Sequence, residues 1–366
     1  MRIGFLVNPI AGMGGSVGLK GTDGEDIRAE AVRRGAVKVS PSRSREAIRG
    51  LRAEELGLEF LTCAGEMGKE ELDSEGIQSS VVYEPQNETT SEDTRRAVTE
   101  FMKRKINLIL FAGGDGTARD VVDIADRTVP ILGIPSGVKM FSGVFAYRPS
   151  DVAELLQVFA HTRAVTEVDV VDIDEDRFRA GVLSTRLHGV ALVPAVKECV
   201  QSGKTEYSSG DDSDEADEIA EYVTEGMKSG TVYIIGPGST TEKIVNKLGE
   251  EKTLLGVDAV LDGTVVCRDA SEQNLLELLG AGVEARIIVT PIGAQGVFFG
   301  RGNQQVSPKV IRRVGIDRVI VVATPTKLAS TPVLRTDTGD GSLDNAFRGT
   351  IKVVTGYKRR KIVPVK

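Results

Sequence analysis

The chain has few of the residues that build several common kinds of site. Its three cysteines, Cys63, Cys199 and Cys267, are an odd number without CxxC spacing, which fits neither a disulfide framework nor a zinc site. They read as small core residues in a reducing cytosol. Of its two histidines, neither has an acidic partner at a telling spacing. His161 is expected to end a helix and His188 to sit hydrogen-bonded in a strand, rather than to catalyse. Aromatic residues make up 5% of the chain and the net charge is −7. Nucleic acids and anionic membranes favour basic patches, so neither is an expected partner. No apolar run approaches ~18 residues, so no membrane span is predicted. Met1 and Arg2 lead straight into IGFLV without the long apolar region of a secretory leader, and a cytoplasmic location is expected.

What the chain does have is length, an ordinary apolar content and glycine. Its 366 residues, 40% hydrophobic and 27% charged, suit a soluble globular protein of two domains. The 41 glycines cluster after apolar runs. In residues 108–126, LILFAGGDGTARDVVDIAD, four apolar residues read as a buried strand. Gly113, Gly114 and Gly116 then form a turn, and Val121, Val122 and Ala125 carry helical spacing. Glycines allow positive φ and close approach to a ligand, and the first amides of the following helix point free donors at an anion. Asp115 is an acid inside that cradle. The reading that reconciles the two has the turn face a phosphate while Asp115 handles a proton or a divalent metal, with Asp120 one turn further along the helix.

Taken in order, residues 3–7 read as a central parallel strand, ended by Asn8-Pro9. Residues 10–24 hold six glycines and Lys20, able to wrap phosphates with backbone amides, but no GK[ST] follows, so this is not a P-loop. A helix is predicted over 44–55, strands over 59–63 and 80–83, and a helix capped by Thr89 with Glu92 that feeds the strand at 108. This strand-helix alternation predicts an open parallel sheet, with ligands beyond the carboxyl ends of its strands. A further strand at 130–134 leads to Ser136, Gly137 and Lys139, a lysine well placed for a phosphate, and a helix over 151–161 closes a first domain of residues 1–150. Residues 151–366 form the second. From residue 165 alternating apolar and acidic residues predict antiparallel hairpins. The acidic stretch 203–218 reads as a loop without the ligand order of a calcium site. Residues 232–248 repeat the strand-glycine-helix plan, with Gly238, Ser239, Thr240 and Thr241 at a turn that suits phosphate. A helix is predicted over 272–279, strands over 257–261, 285–290 and 318–323, and a helix from Ser307. Asn303, Gln304 and Gln305 are neutral amides able to hold a base or ribose. Asp337, Asp340 and Asp344 form a late acidic turn that either returns to the site or connects strands.

The motifs NPIAGMGG at 8–15, GGDGTARD at 113–120, GIPSGVKMFSGVFA at 133–146, GPGSTT at 236–241 and DTGD at 337–340, in this order, resemble the superfamily of NAD kinases, diacylglycerol kinases and sphingoid-base kinases. Within it they resemble the AcoX-like ATP-NAD kinase branch. The resemblance implies an α/β fold with an N-terminal open parallel-sheet, Rossmann-like domain carrying the GGDGT turn, and a C-terminal domain that is β-rich and α/β. It implies phosphoryl transfer from ATP, or polyphosphate, to a nucleotide hydroxyl, by resemblance the adenosine-side 2′-hydroxyl of NAD or NADH, with magnesium or another divalent cation. Asp115 is the expected catalytic base or metal ligand. The expected nucleotide contacts are Asn8, Gly12, Gly14, Gly15, Gly113, Gly114, Gly116, Thr117, Asp120, Ser136, Gly137, Lys139, Gly238, Ser239, Thr240 and Thr241. The nucleotides and a further copy of the chain, as a homo-oligomer, are the expected partners. NAD kinases carry an Asn-Glu pair after GGDGT, whereas here the only such pair, Asn87-Glu88, precedes it. A lipid kinase, which would need an apolar acceptor groove, and a nucleotide-binding regulator without catalysis are the alternative readings.

Overall fold

Strand β1 (Arg2–Val7) sets the plan of the first half: Ile3, Phe5 and Val7 face one apolar layer and Leu6 the other. A strand buried on both faces belongs in the middle of a parallel sheet. β2 (Glu59–Cys63), β3 (Ser79–Tyr83), β4 (Leu108–Gly113) and β5 (Ile131–Pro135) complete that sheet in the order β3-β2-β1-β4-β5, every pairing parallel. The computed structural model describes residues 1–19, 25–85, 89–137, 140–173, 185–196, 212–280, 282–292 and 296–366. They divide into two compact units, the first made of residues 1–13, 21–32 and 37–204, the second of 14–20, 33–36 and 205–366.

In the first unit α2 (Ser40–Ile48) and α6 (Val152–Thr162) cover one face of the sheet, and α4 (Ser91–Lys103) and α5 (Asp115–Ala125) the other. α1 (Glu25–Arg33) and α3 (Lys69–Ser74) complete its helices among the described residues. Leu108, Ile109, Leu110 and Phe111 of β4 expose no surface, and each such side chain contributes about 1.5–3 kcal/mol by leaving water. Strand order runs outward from β1 through β2 to β3 and then restarts on its other side with β4 and β5. The switch point between β1 and β4 is where open α/β sheets bind ligands. The predicted hairpin is present as β6 (Val165–Ile173) and β7 (Thr185–Pro194), antiparallel.

Some boundaries differ from expectation. The helix expected over 44–55 starts earlier, with Pro41 in its first turn, and stops at Ile48 before Gly50, whose φ is +70°. The cap of α4 is Thr90 with Asp93, whose carboxylate accepts the Thr90 amide at 2.8 Å, one residue beyond the expected pair. Cys63 is a core thiol pushed up to about 12 by burial. Cys199, Lys20, Lys139 and Asn87-Glu88 lie outside the described residues.

The second unit holds a seven-stranded sheet of order β10-β9-β8-β11-β13-β15-β16. Its parallel centre is β8 (Val232–Ile235), β11 (Ala285–Val289), β13 (Val319–Val322) and β15 (Gly349–Gly356). Antiparallel β9 (Asp258–Leu261) and β10 (Thr264–Cys267) flank one side and β16 (Arg359–Val365) the other. Short β12 (Val297–Phe299) pairs with β14 (Arg335–Thr336). α7 (Asp212–Glu225) and α8 (Ser239–Lys247) pack on one face, where Ile219, Ala220 and Val223 of α7 are buried. α9 (Glu272–Leu278), α10 (Pro308–Val314), α11 (Pro325–Ser330) and α12 (Gly341–Phe347) pack on the other. The acidic stretch is therefore not a loop through residue 218. Asp212 onward is helix, because aspartates and glutamates favour a helix's first turn and the apolar stripe behind them has a sheet to cover.

Candidate functional site

Both ends of the switch point carry expected site residues. Asn8, just past β1, donates its backbone N–H to Ala112 O at 2.9 Å and its Nδ2 to Thr117 Oγ1 at 3.0 Å. It thus ties β1 to the first turn of α5. Ser136 and Gly137, just past β5, both donate backbone N–H groups to Gly113 O at 3.1 Å. Gly12 closes the constellation: its φ is +76°, and a Cβ there would stand 1.8 Å from Ser136 O. Only glycine fits that approach. Asn8, Gly12, Gly113, Thr117, Ser136 and Gly137 are thereby brought together around the start of α5.

Gly114 is the N-cap of α5 and Asp115 its first residue. Asp115 is 8% exposed, and its carboxylate accepts two backbone amides, Phe141 N–H at Oδ2 (2.7 Å) and Ser142 N–H at Oδ1 (3.0 Å). Burial pushes the acid up to about 6. The Ser142 hydroxyl, the amides of Phe141 and Ser142 and the Arg119 charge pull the other way. Ser142 Oγ in turn accepts the Val171 amide of β6 at 3.0 Å, so the hairpin anchors the segment that caps the acid. Phe141 and Ser142 lie within the GIPSGVKMFSGVFA motif, but as backbone donors they left no residue signature to read.

Asp120 is not brought to Asp115. Residues five apart are about 140° apart around a helix, and Asp120 pairs with Arg95 Nη2 of α4 at 2.8 Å. Burial raises it and Arg95 opposes the shift. Its partner shows it docking α5 on α4. His188 sits in β7 with Nε2 2.8 Å from Asp123 Oδ1, and His161 bonds the Gln157 carbonyl near the end of α6.

In the second unit the turn after β8 repeats the plan without an acid. Gly238 (φ +124°) is the N-cap of α8, and a Cβ on it would meet Thr290 Cγ2 at 2.7 Å. Thr241 is fully buried and its hydroxyl donates to Gly236 O (2.7 Å) and Gly238 O (2.8 Å). It closes the turn rather than facing a ligand. Thr240 is also buried, which leaves Ser239 as the exposed hydroxyl of the three. Sequence reasoning missed Lys327, half-buried, whose Nζ donates to Thr290 Oγ1 at 3.3 Å beside this turn. A lone lysine at a helix start gives no sequence signal.

Gly14 and Gly15 belong to this second unit, where a Cβ on Gly15 would overlap Gln304 Oε1. Asn303 is corrected to a structural role: fully buried, it donates to Phe298 O and accepts Gly300 N–H, both at 2.9 Å. The DTGD turn connects elements. Asp340 caps α12 through the amides of Ser342 and Leu343 at 3.0 Å, and Asp344 accepts the Thr338 amide at 3.1 Å.

No three His, Cys, Asp or Glu side chains among the described residues converge as a metal cage. Magnesium, however, is commonly held by one or two carboxylates and substrate phosphates. Asp115 fits that manner of binding, since a carboxylate offers about four lone-pair sites and the two amides and the Ser142 hydroxyl do not fill them all.

An all-parallel sheet with glycine turns at its carboxyl edge and a buried carboxylate opening a helix at the switch point is the arrangement of an α/β protein that takes its ligand at the strand ends. The comparisons make the class specific. Residues 3–164 match the ATP-NAD kinase N-terminal domain and residues 228–365 the ATP-NAD kinase C-terminal domain. The chain belongs to the ATP-NAD kinase family, and is a phosphotransferase acting on a hydroxyl group. Neither a curated protein nor a solved structure matches it. No helix among the described residues is long and apolar enough to cross a membrane.

Proposed function

We propose that this kinase transfers the terminal phosphoryl group of ATP, or of polyphosphate, to the adenosine-side 2′-hydroxyl of NAD or NADH. The observation that carries the reading is Asp115: a carboxylate buried at the switch point, fixed by two amides and raised to about 6. Phosphoryl transfer needs little covalent chemistry from a protein and much positioning. Asp115 accepts the proton of the attacking hydroxyl as the oxygen–phosphorus bond forms, and the bond from phosphorus to the departing ADP oxygen breaks. Gly12, Gly113, Gly114, Gly116 and Thr117 shape the first turn, and the amides at the start of α5 favour anionic oxygens. In the second unit the Gly238 turn, Ser239 and Lys327 offer amides, a hydroxyl and a cation to phosphate. Were Asp115 to hold magnesium instead of taking the proton, the cation would neutralise phosphate charge. The same reading makes the protein a cytoplasmic homo-oligomer in NADP synthesis, working on nucleotides rather than on nucleic acid or membrane.

The test is an acceptor screen with magnesium and either ATP or polyphosphate, followed by mass analysis of products. NADP or NADPH is the expected product. Phosphorylation of a lipid or a small metabolite, with NAD and NADH untouched, overturns the assignment, and nucleotide binding without any transfer makes the protein a regulator.

A further inference from the structure

The second unit contains a buried ion pair that phosphoryl transfer does not use. Lys252 Nζ and Asp258 Oδ2 are 3.5 Å apart, and neither side chain exposes any surface. Such a pair is tolerable only where its other donors and acceptors are filled, and here they are. Lys252 donates to Thr253 O at 2.9 Å and Gly256 O at 2.8 Å. Asp258 accepts the Thr253 amide at 2.7 Å and the Asp269 amide at 2.8 Å.

The location gives the pair its meaning. In the antiparallel register Asp258 stands opposite Ile235, the last residue of β8, so it lies where the chain leaves the sheet for the 236–241 turn. The loop that Lys252 folds around itself presents Leu254 O to that turn, and Gly238 N–H donates to it at 2.9 Å. The ammonium thus fixes the carbonyls of residues 253 and 256, and the carbonyl between them fixes the glycine that caps α8. On its other side Asp258 holds Asp269. Three residues further on, Glu272 N–H donates to Ser16 O of the glycine loop at 3.3 Å.

We infer that Lys252 is a positioning residue for nucleotide binding, holding the Gly238 turn in place through the carbonyls its buried ammonium fixes. The inference rests on reading the 236–241 turn as a nucleotide contact. The charged groups facing the ammonium are Asp258 of β9, Asp269 after β10 and Glu242 of α8, all favouring the protonated form. Burial outweighs them and brings Lys252 down to about 8. Burial first, and Asp258 and Asp269 after it, raise the Cys267 thiol, while Arg268 pairs with Glu250 at 3.1 Å.

Removing the lysine alone strands a buried carboxylate, so the variant to make is Lys252→Met with Asp258→Asn, alongside Lys252→Arg. Amide hydrogen exchange and calorimetric ATP binding from roughly pH 7 to 9 are the measurements. In the double variant exchange across residues 236–241 is expected to quicken about tenfold while residues 285–289 stay protected, and ATP binding to weaken about tenfold at pH 7. The wild type should lose ATP affinity above pH ~8, the double variant should show a flat profile, and Lys252→Arg, which keeps its charge, should bind at every pH. A double variant that melts like the wild type with unchanged exchange at 236–241 and unchanged affinity overturns the inference. A wild type that binds neither ATP nor NAD overturns the functional reading instead, and the exchange measurement then decides the positioning role alone.

Discussion

Asp115→Asn separates the cost of burying this acid from its use. The carboxyl titrates at about 6 in the fold against an ordinary 3.8. Between those values the native state holds a proton that the unfolded chain has released, so the stability contributed by this group is present at low pH and falls as pH rises through the window. The whole difference is about 3 kcal/mol, of which about 2 kcal/mol falls between pH 4.5 and 7. Asparagine does not titrate, so its stability relative to the wild type should climb by that amount over the interval. The level of the difference is a separate matter: both carboxylate oxygens accept an amide, and the asparagine NH₂ must face one of them at a cost of about 1–3 kcal/mol.

The assay is urea unfolding of both proteins at several pH values, since subtracting one profile from the other cancels every other titrating group. Turnover is measured beside it. A positioned base contributes roughly 10²–10⁴-fold, so kcat should fall by that factor with the KM for ATP nearly unchanged. In the wild type kcat/KM should rise with pH through about 6 as the base ionises. Parallel stability profiles would show that the carboxylate is not desolvated. Full activity in a folded variant would remove Asp115 from the chemistry.

Ser142→Ala removes a hydroxyl that favours the ionised acid, so the acid limb of kcat/KM against pH should move upward. A shift downward or none refutes the contact. Gly12→Ala forces a Cβ against Ser136 O at positive φ and should lower stability by about 2 kcal/mol or more, read from the urea midpoint. Asp120→Asn breaks a pair whose arginine is 44% exposed. Stability should fall by less than about 1 kcal/mol and kcat by no more than about threefold, whereas a hundredfold loss in kcat would place Asp120 in the reaction.

The β4 to α5 unit was legible because its signals are local: four consecutive apolar residues, three glycines and an amphipathic stripe lie within twenty positions. The hairpin was legible for the same reason. What encloses Asp115 was not, because its donors are main-chain amides 26 and 27 residues away, and an amide looks alike in every residue. Polarity misled in both directions. The acidic residues of α7 suggested solvent, although Ile219, Ala220 and Val223 behind them cover a sheet. Asn303 and Thr241 suggested ligand contacts, although both spend their polar groups on neighbouring carbonyls and amides. Short polar side chains at turns bond the local backbone as readily as they bond a ligand, and only coordinates distinguish the two.

The acid among glycines is explained by that distant cap. Left in water, Asp115 would be too weak a base to take a hydroxyl proton; buried without partners, it would stay protonated at neutral pH and take none. The fold sets the two tendencies against each other, with burial driving the carboxyl up and two amides, a hydroxyl and Arg119 holding it down. The balance at about 6 holds the carboxyl's proton affinity closer to neutral pH than that of an ordinary aspartate, which is what the proposed general-base role requires. The cap acts as part of that balance: deleting the Ser142 hydroxyl, or loosening the β6 strand that holds it, should move the pH profile before it moves the melting point.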